Sequence, residues 1–196
     1  LLNILFKASS DTVLSWFKEN NKNEQFTPGI ISTLHTFGRD LKWNTHIHML
    51  VTEGAMGNIS KWKDFSFFPY EMLRKRFMTT LLSMLSKVIP SQEFKKIKNE
   101  LYKDYNNSFY VHAPNSHFSN VKNAIKYITR YTNRPAMAES RIISYDPDVP
   151  SVTYYYDRHE DNKRITETVH PFELIKKLII HIPEKGFNMT RYYGLY

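Results

Sequence analysis

"IISTLHTFGRDLKWNTHIHMLV", residues 30–51, is the stretch whose reading decides the fold. Its first eight residues are rich in β-branched and aromatic side chains and read as a strand. "GRDL" (38–41) turns the chain, and residues 42–51 return as the second strand of a hairpin. Side chains alternate between the two faces of a strand, so Trp43, Thr45, Ile47, Met49 and Val51 share one face and Asn44, His46, His48 and Leu50 the other. Two same-face imidazoles stand roughly 6.6 Å apart at Cα, near enough to grip one ion. The competing reading is a pair of cleft histidines satisfied by hydrogen bonds. A four-residue turn sets Phe37 opposite Lys42 and His35 opposite Asn44, which brings His35 onto the same face as a third ligand; a slip of one residue would remove it. The nearby carboxylates are Asp40, in the turn, and Glu53, at the end of the strand.

Outward from the hairpin, residues 1–20 have a helical rhythm of apolar positions, with Ser10 or Asp11 able to cap a second helical piece. The polar stretch ending at Pro28-Gly29 reads as a loop. Tyr70 to Val88 reads as a helix stopped by Pro90, residues 91–104 as another, and "SFYVHA" (108–113) as a short strand. Ser116 to Thr132 reads as a helix ended by Pro135. Strands follow at 141–145, 152–157 and 164–169, then a helix from Pro171 to about His181. This mixed order predicts an α+β fold with a central, mainly antiparallel sheet that carries the His46/His48 strand and is flanked by helices.

The second informative stretch is "NVKNAIKYITRYTNRP" (120–135). At about 100° per residue, Val121, Ala124, Ile125, Ile128 and Thr132 form an apolar stripe. Lys122, Lys126, Arg130 and Arg134 recur every four residues as a basic stripe, and Tyr127 and Tyr131 lie on the boundary. Tyrosines flanked by cations can face a phosphate that those cations position. They can also be plain amphipathic residues at the edge of a core, and the helix alone leaves both readings open.

Composition narrows the classes. The 196 residues carry a formal charge of +8, 13 Tyr and 13 Phe, and no Cys. Excess positive charge with abundant aromatic rings suits a polyanion with unpaired bases. Without cysteine there is no disulfide framework and no thiolate zinc site in this segment, which fits a reducing compartment. No stretch approaches the roughly 18 apolar residues of a membrane span.

The histidine strand and the tyrosine helix together resemble the HUH endonucleases: histidine, bulky apolar residue, histidine, with Tyr-x-x-x-Tyr downstream. Within that superfamily the chain is similar to the two-tyrosine rolling-circle transposases of the insertion-sequence ninety-one family. The similarity lies in "STLHTFGRDLKWNTHIHMLVTEGA" (32–55), "KYITRYTNRPAMAESRI" (126–142) and "IPEKGFNMTRYYGLY" (182–196). It implies a Rep-like fold, His46 and His48 as metal ligands, and Tyr127 and Tyr131 as nucleophiles. It further implies Mg²⁺ or Mn²⁺ as cofactor, single-stranded DNA at transposon ends as partner, and a place in the bacterial cytoplasm at the nucleoid. His35 is the candidate third ligand, and Lys122, Lys126, Arg130 and Arg134 are the candidate DNA contacts. The family carries a cysteine-rich zinc module ahead of its catalytic domain. With no cysteine and Leu1 as its first residue, the chain reads as a helical segment and linker (1–27) and a catalytic domain (28–196), truncated at both ends. The alternatives are an inactive single-stranded nucleic-acid-binding fragment of such a transposase, and a metal-dependent hydrolase that uses water. Arg74, Lys75 and Arg76 read as a solvated helix face and Trp43 as a core residue. Trp62 and Phe118 offer stacking surfaces, His112 and His117 flank the tyrosine helix, and "YYYDRHEDNKR" (154–164) reads as a hairpin with a charged tip.

Overall fold

The computed structural model describes residues 1–20, 23–65, 67–112, 121–132 and 134–196. In chain order the elements are α1 (Leu2–Glu19), β1 (Phe26–Thr27), β2 (Gly29–Phe37), β3 (Trp43–Val51), β4 (Gly54–Gly57), β5 (Lys63–Asp64), α2 (Tyr70–Val88) and α3 (Gln92–Asp104). They continue with α4 (Val121–Thr132), β6 (Ile142–Asp146), β7 (Ser151–Asp157), β8 (Arg164–Val169), α5 (Pro171–Ile179) and β9 (Thr190–Gly194). The fold is α+β with antiparallel pairing, as expected. Among the described residues the strands form three sheets of three, ordered β1-β4-β5, β3-β2-β9 and β6-β7-β8, and the second of these carries the histidine strand. The His46/His48 strand is thus an edge strand, and the strand of His35 is the central one of its sheet.

The chain divides into two compact units, with the division falling inside β2, β3 and α4. The first comprises Leu1–Ser32, Ile47–Ala124 and Thr190–Tyr196. Its core is aromatic: Trp16, Phe17, Phe26, Phe65 and Leu73 are buried together, with Phe17 against Trp16 at 4.6 Å and against Phe65 at 5.0 Å between ring centroids. Such edge-on pairs add to the area they bury. The break expected near Ser10 does not occur. The Ser9, Ser10 and Thr12 hydroxyls donate back to the carbonyls of Leu5, Lys7 and Ala8 at 2.8, 3.1 and 2.7 Å, so residues that could have capped a new helix sit inside one helix.

The basic tripeptide on α2 serves the first unit more than solvent. Arg76 donates to Ser15 and to the Glu19 carboxylate, at 2.8 and 2.6 Å, and Arg74 donates to the Val111 carbonyl at 3.0 Å. Only Lys75 matches the solvated reading, paired with Glu71 along the helix. The strand expected at 108–113 is absent from the described residues 108–112. Ser108 has φ 62° and its N–H closes a turn on the Tyr105 carbonyl, which takes the chain out of the extended region. Trp62 is half-exposed and donates to Asp64, and the His112 ring stacks on Tyr110. His117 and Phe118 lie outside the described residues.

The second unit comprises Thr33–His46 and Ile125–Met189. Leu41, Val152, Tyr154 and Leu174 form its core, which α5 shares with the β6-β7-β8 sheet. The β7–β8 hairpin has the expected charged tip, where Arg158 pairs with Asp161. Behind the tip, Glu167 on β8 accepts from the Tyr154 and Tyr156 hydroxyls at 2.6 and 3.0 Å and from Lys177 at 2.8 Å. This cluster ties β7, β8 and α5 together. Helix α5 begins as predicted, with His170 as cap and Pro171 in the first turn, but ends at Ile179.

Candidate metal and nucleophile site

The hairpin tip is tighter than the sequence suggests. The Gly38 N–H donates to the Lys42 carbonyl at 2.9 Å and the Leu41 N–H to the Gly38 carbonyl at 3.2 Å. The turn therefore closes at Gly38–Lys42 and not at the expected Phe37–Lys42 pair, yet His35 keeps its place beside His46. Leu41 takes φ 61°, a left-handed conformation that costs a leucine about 1–2 kcal/mol. Its side chain, 2% exposed in the core of the second unit, offsets that cost by burial. Asp40 accepts from the Lys42 N–H and pairs with its ammonium, which leaves it a turn residue and not a ligand.

His35 and His46 face one another with rings 5.5 Å apart at 87°. With His48, two residues along β3, they offer three imidazole nitrogens that all lie within 4.8 Å of one another. Each of the first two is fixed by a backbone carbonyl. His35 Nε2 lies 2.8 Å from the Tyr131 oxygen, and His46 Nδ1 lies 2.8 Å from the Asn44 oxygen. A carbonyl can only accept, so each of those nitrogens carries the proton. The lone pair is thereby assigned to Nδ1 of His35 and to Nε2 of His46, the arrangement that metal-binding histidines use to set their tautomer. Burial holds the His35 imidazole below its ordinary value, the Tyr131 carbonyl opposes this, and His46 and Arg134 add to the lowering. The donor set thus fits a divalent ion.

Helix α4 brings the tyrosines to the same place. Tyr127 and Tyr131 are one turn apart with ring centroids 4.5 Å apart, and the Tyr131 ring stacks on His35 at 6.1 Å. Burial pushes the Tyr127 phenol above its ordinary value, and the charge and hydrogen bond of Tyr131 push the same way. Lys122, Lys126, Arg130 and Arg134 are exposed, as the basic stripe predicts. The apolar stripe is less simple: Ile125 is 56% exposed and Thr132 half-buried, and the side chains of Val121, Ala124 and Ile128 lie outside the described part.

Trp43 is corrected from core to half-exposed, at 54%. It lies flat against His181, 5.9 Å away at 12°. His181 itself was not singled out from the sequence. It is buried, and it reaches back to the hairpin through the Thr36 hydroxyl and the Leu41 carbonyl, at 3.1 and 2.9 Å. Nothing in "LIIHI" marks it, because both partners lie about 140 residues away.

Comparison with known proteins places the chain in a transposase family. The family described as "Putative transposase" (Y2_Tnp) matches residues 29–196. The transposase for insertion sequence element IS801 of Pseudomonas savastanoi pv. phaseolicola is 26% identical over 208 residues, which takes in 99% of this chain and 48% of that protein. Putative transposase y4qJ of Sinorhizobium fredii is 24% identical over 206 residues, 97% of this chain and 51% of that protein. The chain spans about half the length of these curated relatives. No solved structure matches it, and among the described residues no helix is long and apolar enough to cross a membrane.

Proposed function

Since this chain belongs to the Y2_Tnp transposase family over residues 29–196, we propose that it nicks and rejoins single-stranded DNA at transposon ends, with Tyr127 and Tyr131 as nucleophiles. The observation that carries the proposal is the bond from His35 to the Tyr131 carbonyl, which ties the tyrosine helix to the imidazole cluster. Family membership alone would leave the chemistry open.

A tyrosine oxygen attacks the scissile phosphorus, the bond from phosphorus to the 3′ oxygen breaks, and the 3′ oxygen leaves as a hydroxyl. The strand stays attached through a 5′-phosphotyrosine ester, so the bond energy is kept and no nucleotide is consumed. Tyr127 rests as the neutral phenol; the proton it loses to solvent as its oxygen attacks is balanced by the one the departing 3′ oxygen takes up from solvent. The second tyrosine then serves a second transfer. Lys122, Lys126, Arg130 and Arg134 draw the strand to the helix and fix its phosphates. His35, His46 and His48 would hold a divalent ion, which when bound would supply positive charge against the phosphate oxygens. Of the two ions the family resemblance implies, Mn²⁺ suits three imidazoles better than Mg²⁺, which prefers oxygen ligands.

The test incubates the protein with labelled single-stranded DNA of transposon-end sequence, with Mn²⁺ or EDTA, and resolves the products on a denaturing gel. A metal-dependent band at the combined mass of protein and DNA is expected, reduced by Tyr127→Phe or Tyr131→Phe and abolished by the double variant. Cleavage without an adduct would assign the attack to water. Binding without cleavage would leave a nucleic-acid-binding fragment.

A further inference from the structure

The second unit contains a cavity of about 450 Å³ that the tyrosines and histidines do not account for. Phe37, Met137, Leu178 and Met189 supply apolar walls, and His35 and Arg134 stand in the lining beside them. His35 is thus common to the imidazole cluster and to the cavity. Thr132, next to Tyr131, lines the cavity as well.

His181 makes part of the wall rigid. Its Nε2 donates to the Leu41 carbonyl, its Nδ1 is engaged by the Thr36 hydroxyl, and Trp43 stacks on its ring. With both nitrogens taken, it presents ring surface to the cavity and no free donor or acceptor. A mainly apolar enclosure with aromatic surface and one cation at its side suits a flat, π-rich group attached to a phosphate. Its volume falls within the range of about 300–1,000 Å³ typical of small-ligand pockets.

We infer that this cavity receives one unpaired nucleobase, from a nucleotide adjoining the phosphate held at the His35 cluster; the inference rests on the single-stranded DNA reading above. A base buried there and a phosphate held at the cluster pin the strand at two points. The scissile phosphorus is then presented in one orientation to the tyrosines. Arg134 offers its charge to the phosphate of the same nucleotide. Duplex DNA keeps its bases stacked and cannot fill the cavity without extruding one, so the cavity also selects for unpaired strand.

The test uses labelled single-stranded oligonucleotides of transposon-end sequence, with a single abasic site walked along the strand. Affinity is read by fluorescence anisotropy in EDTA, and adduct formation separately with Mn²⁺. One abasic position beside the cleavage point is expected to weaken binding by about 5- to 100-fold, the usual range for losing one stacked base. Met189→Trp fills the cavity from within and Ile182→Trp narrows it from an exposed position. Each should weaken binding to the intact strand and cancel the effect of that abasic position. Equal sensitivity at every position, or an abasic effect unchanged in both variants, would overturn the inference even if adducts form. Failure to form adducts, with the position effect and its cancellation intact, would overturn the nicking reading and leave the base pocket standing.

Discussion

Replacing Glu167 by Gln removes one charge from a cluster of four groups and changes almost no volume. In the native chain the Glu167 carboxylate accepts three hydrogen bonds, and the Lys177 ammonium also reaches the Tyr154 hydroxyl at 2.8 Å. Gln keeps one acceptor oxygen and turns an N–H₂ toward a partner that needs to donate. One bond is lost, worth about 1 kcal/mol; the retained tyrosine bond falls to neutral strength, and the Lys177 ammonium still donates but loses its counter-charge, at about 1 kcal/mol each. The Lys177 and Glu167 side chains are 36% and 30% exposed, so water screens part of this. The net loss is then about 2 kcal/mol, or about 4–8 °C in melting temperature for a chain of this length. Lys177 first, then Tyr154 and Tyr156, hold the Glu167 carboxyl below its ordinary value, against burial. A carboxylate depressed in the folded state contributes stability that is complete above the unfolded value near 4.3 and is lost as pH falls through the folded value. Calorimetric melting of both proteins should therefore show a gap near neutral pH that narrows on acidification below about pH 4. A gap under about 0.5 kcal/mol, the scale of an ordinary surface change, would refute the reasoning. So would a gap that does not respond to pH.

Three further outcomes follow from geometry already described. Mn²⁺ at about a hundred times its dissociation constant should stabilise the protein by about 2.7 kcal/mol, and EDTA, His46→Ala or His48→Ala should remove the rise in melting temperature; an undiminished rise in both variants would place the ion elsewhere. Neutralising Lys122, Lys126 or Arg130 to Gln should flatten the salt dependence of single-stranded DNA binding by about 0.7 in log–log slope for each phosphate that the side chain had neutralised. An unchanged slope would take that side chain off the DNA. Gly194 has φ 76°, and a Cβ there would meet the Pro28 carbonyl oxygen, which already accepts from the Leu195 N–H. Gly194→Ala should therefore cost more than the about 1 kcal/mol expected of Gly186→Ala, which has φ 83° and open space around it; equal melting temperatures would contradict this.

Elements that carry their own periodicity were legible in the sequence. Helix α2 has the predicted bounds, Tyr70–Val88, and β8 runs over the predicted 164–169, because each shows one dominant period over its whole length. Strands β1 and β5 have two residues each and β4 four, too short to show any alternation. Their pairing is decided by neighbours distant in the chain, so they could not be read from the sequence. At the site, the histidine spacing and the tyrosine spacing could both be read because each is local to one element. The meeting of His35 with Tyr131 spans 96 residues, and that of His181 with Thr36 spans 145. Contacts of that kind leave no spacing to read, so the cavity and its aromatic wall emerged only with the structure.

The bond from His35 to residue 131 ends on a main-chain oxygen. Every amino acid has that oxygen, so the identity of the side chain at 131 and the anchoring of its helix are separate inheritances. A lineage could trade this tyrosine for another residue and keep the helix moored, changing what the helix presents without rebuilding its scaffold. For the same reason, a phenylalanine placed there by an experimenter removes the hydroxyl and leaves the mooring intact.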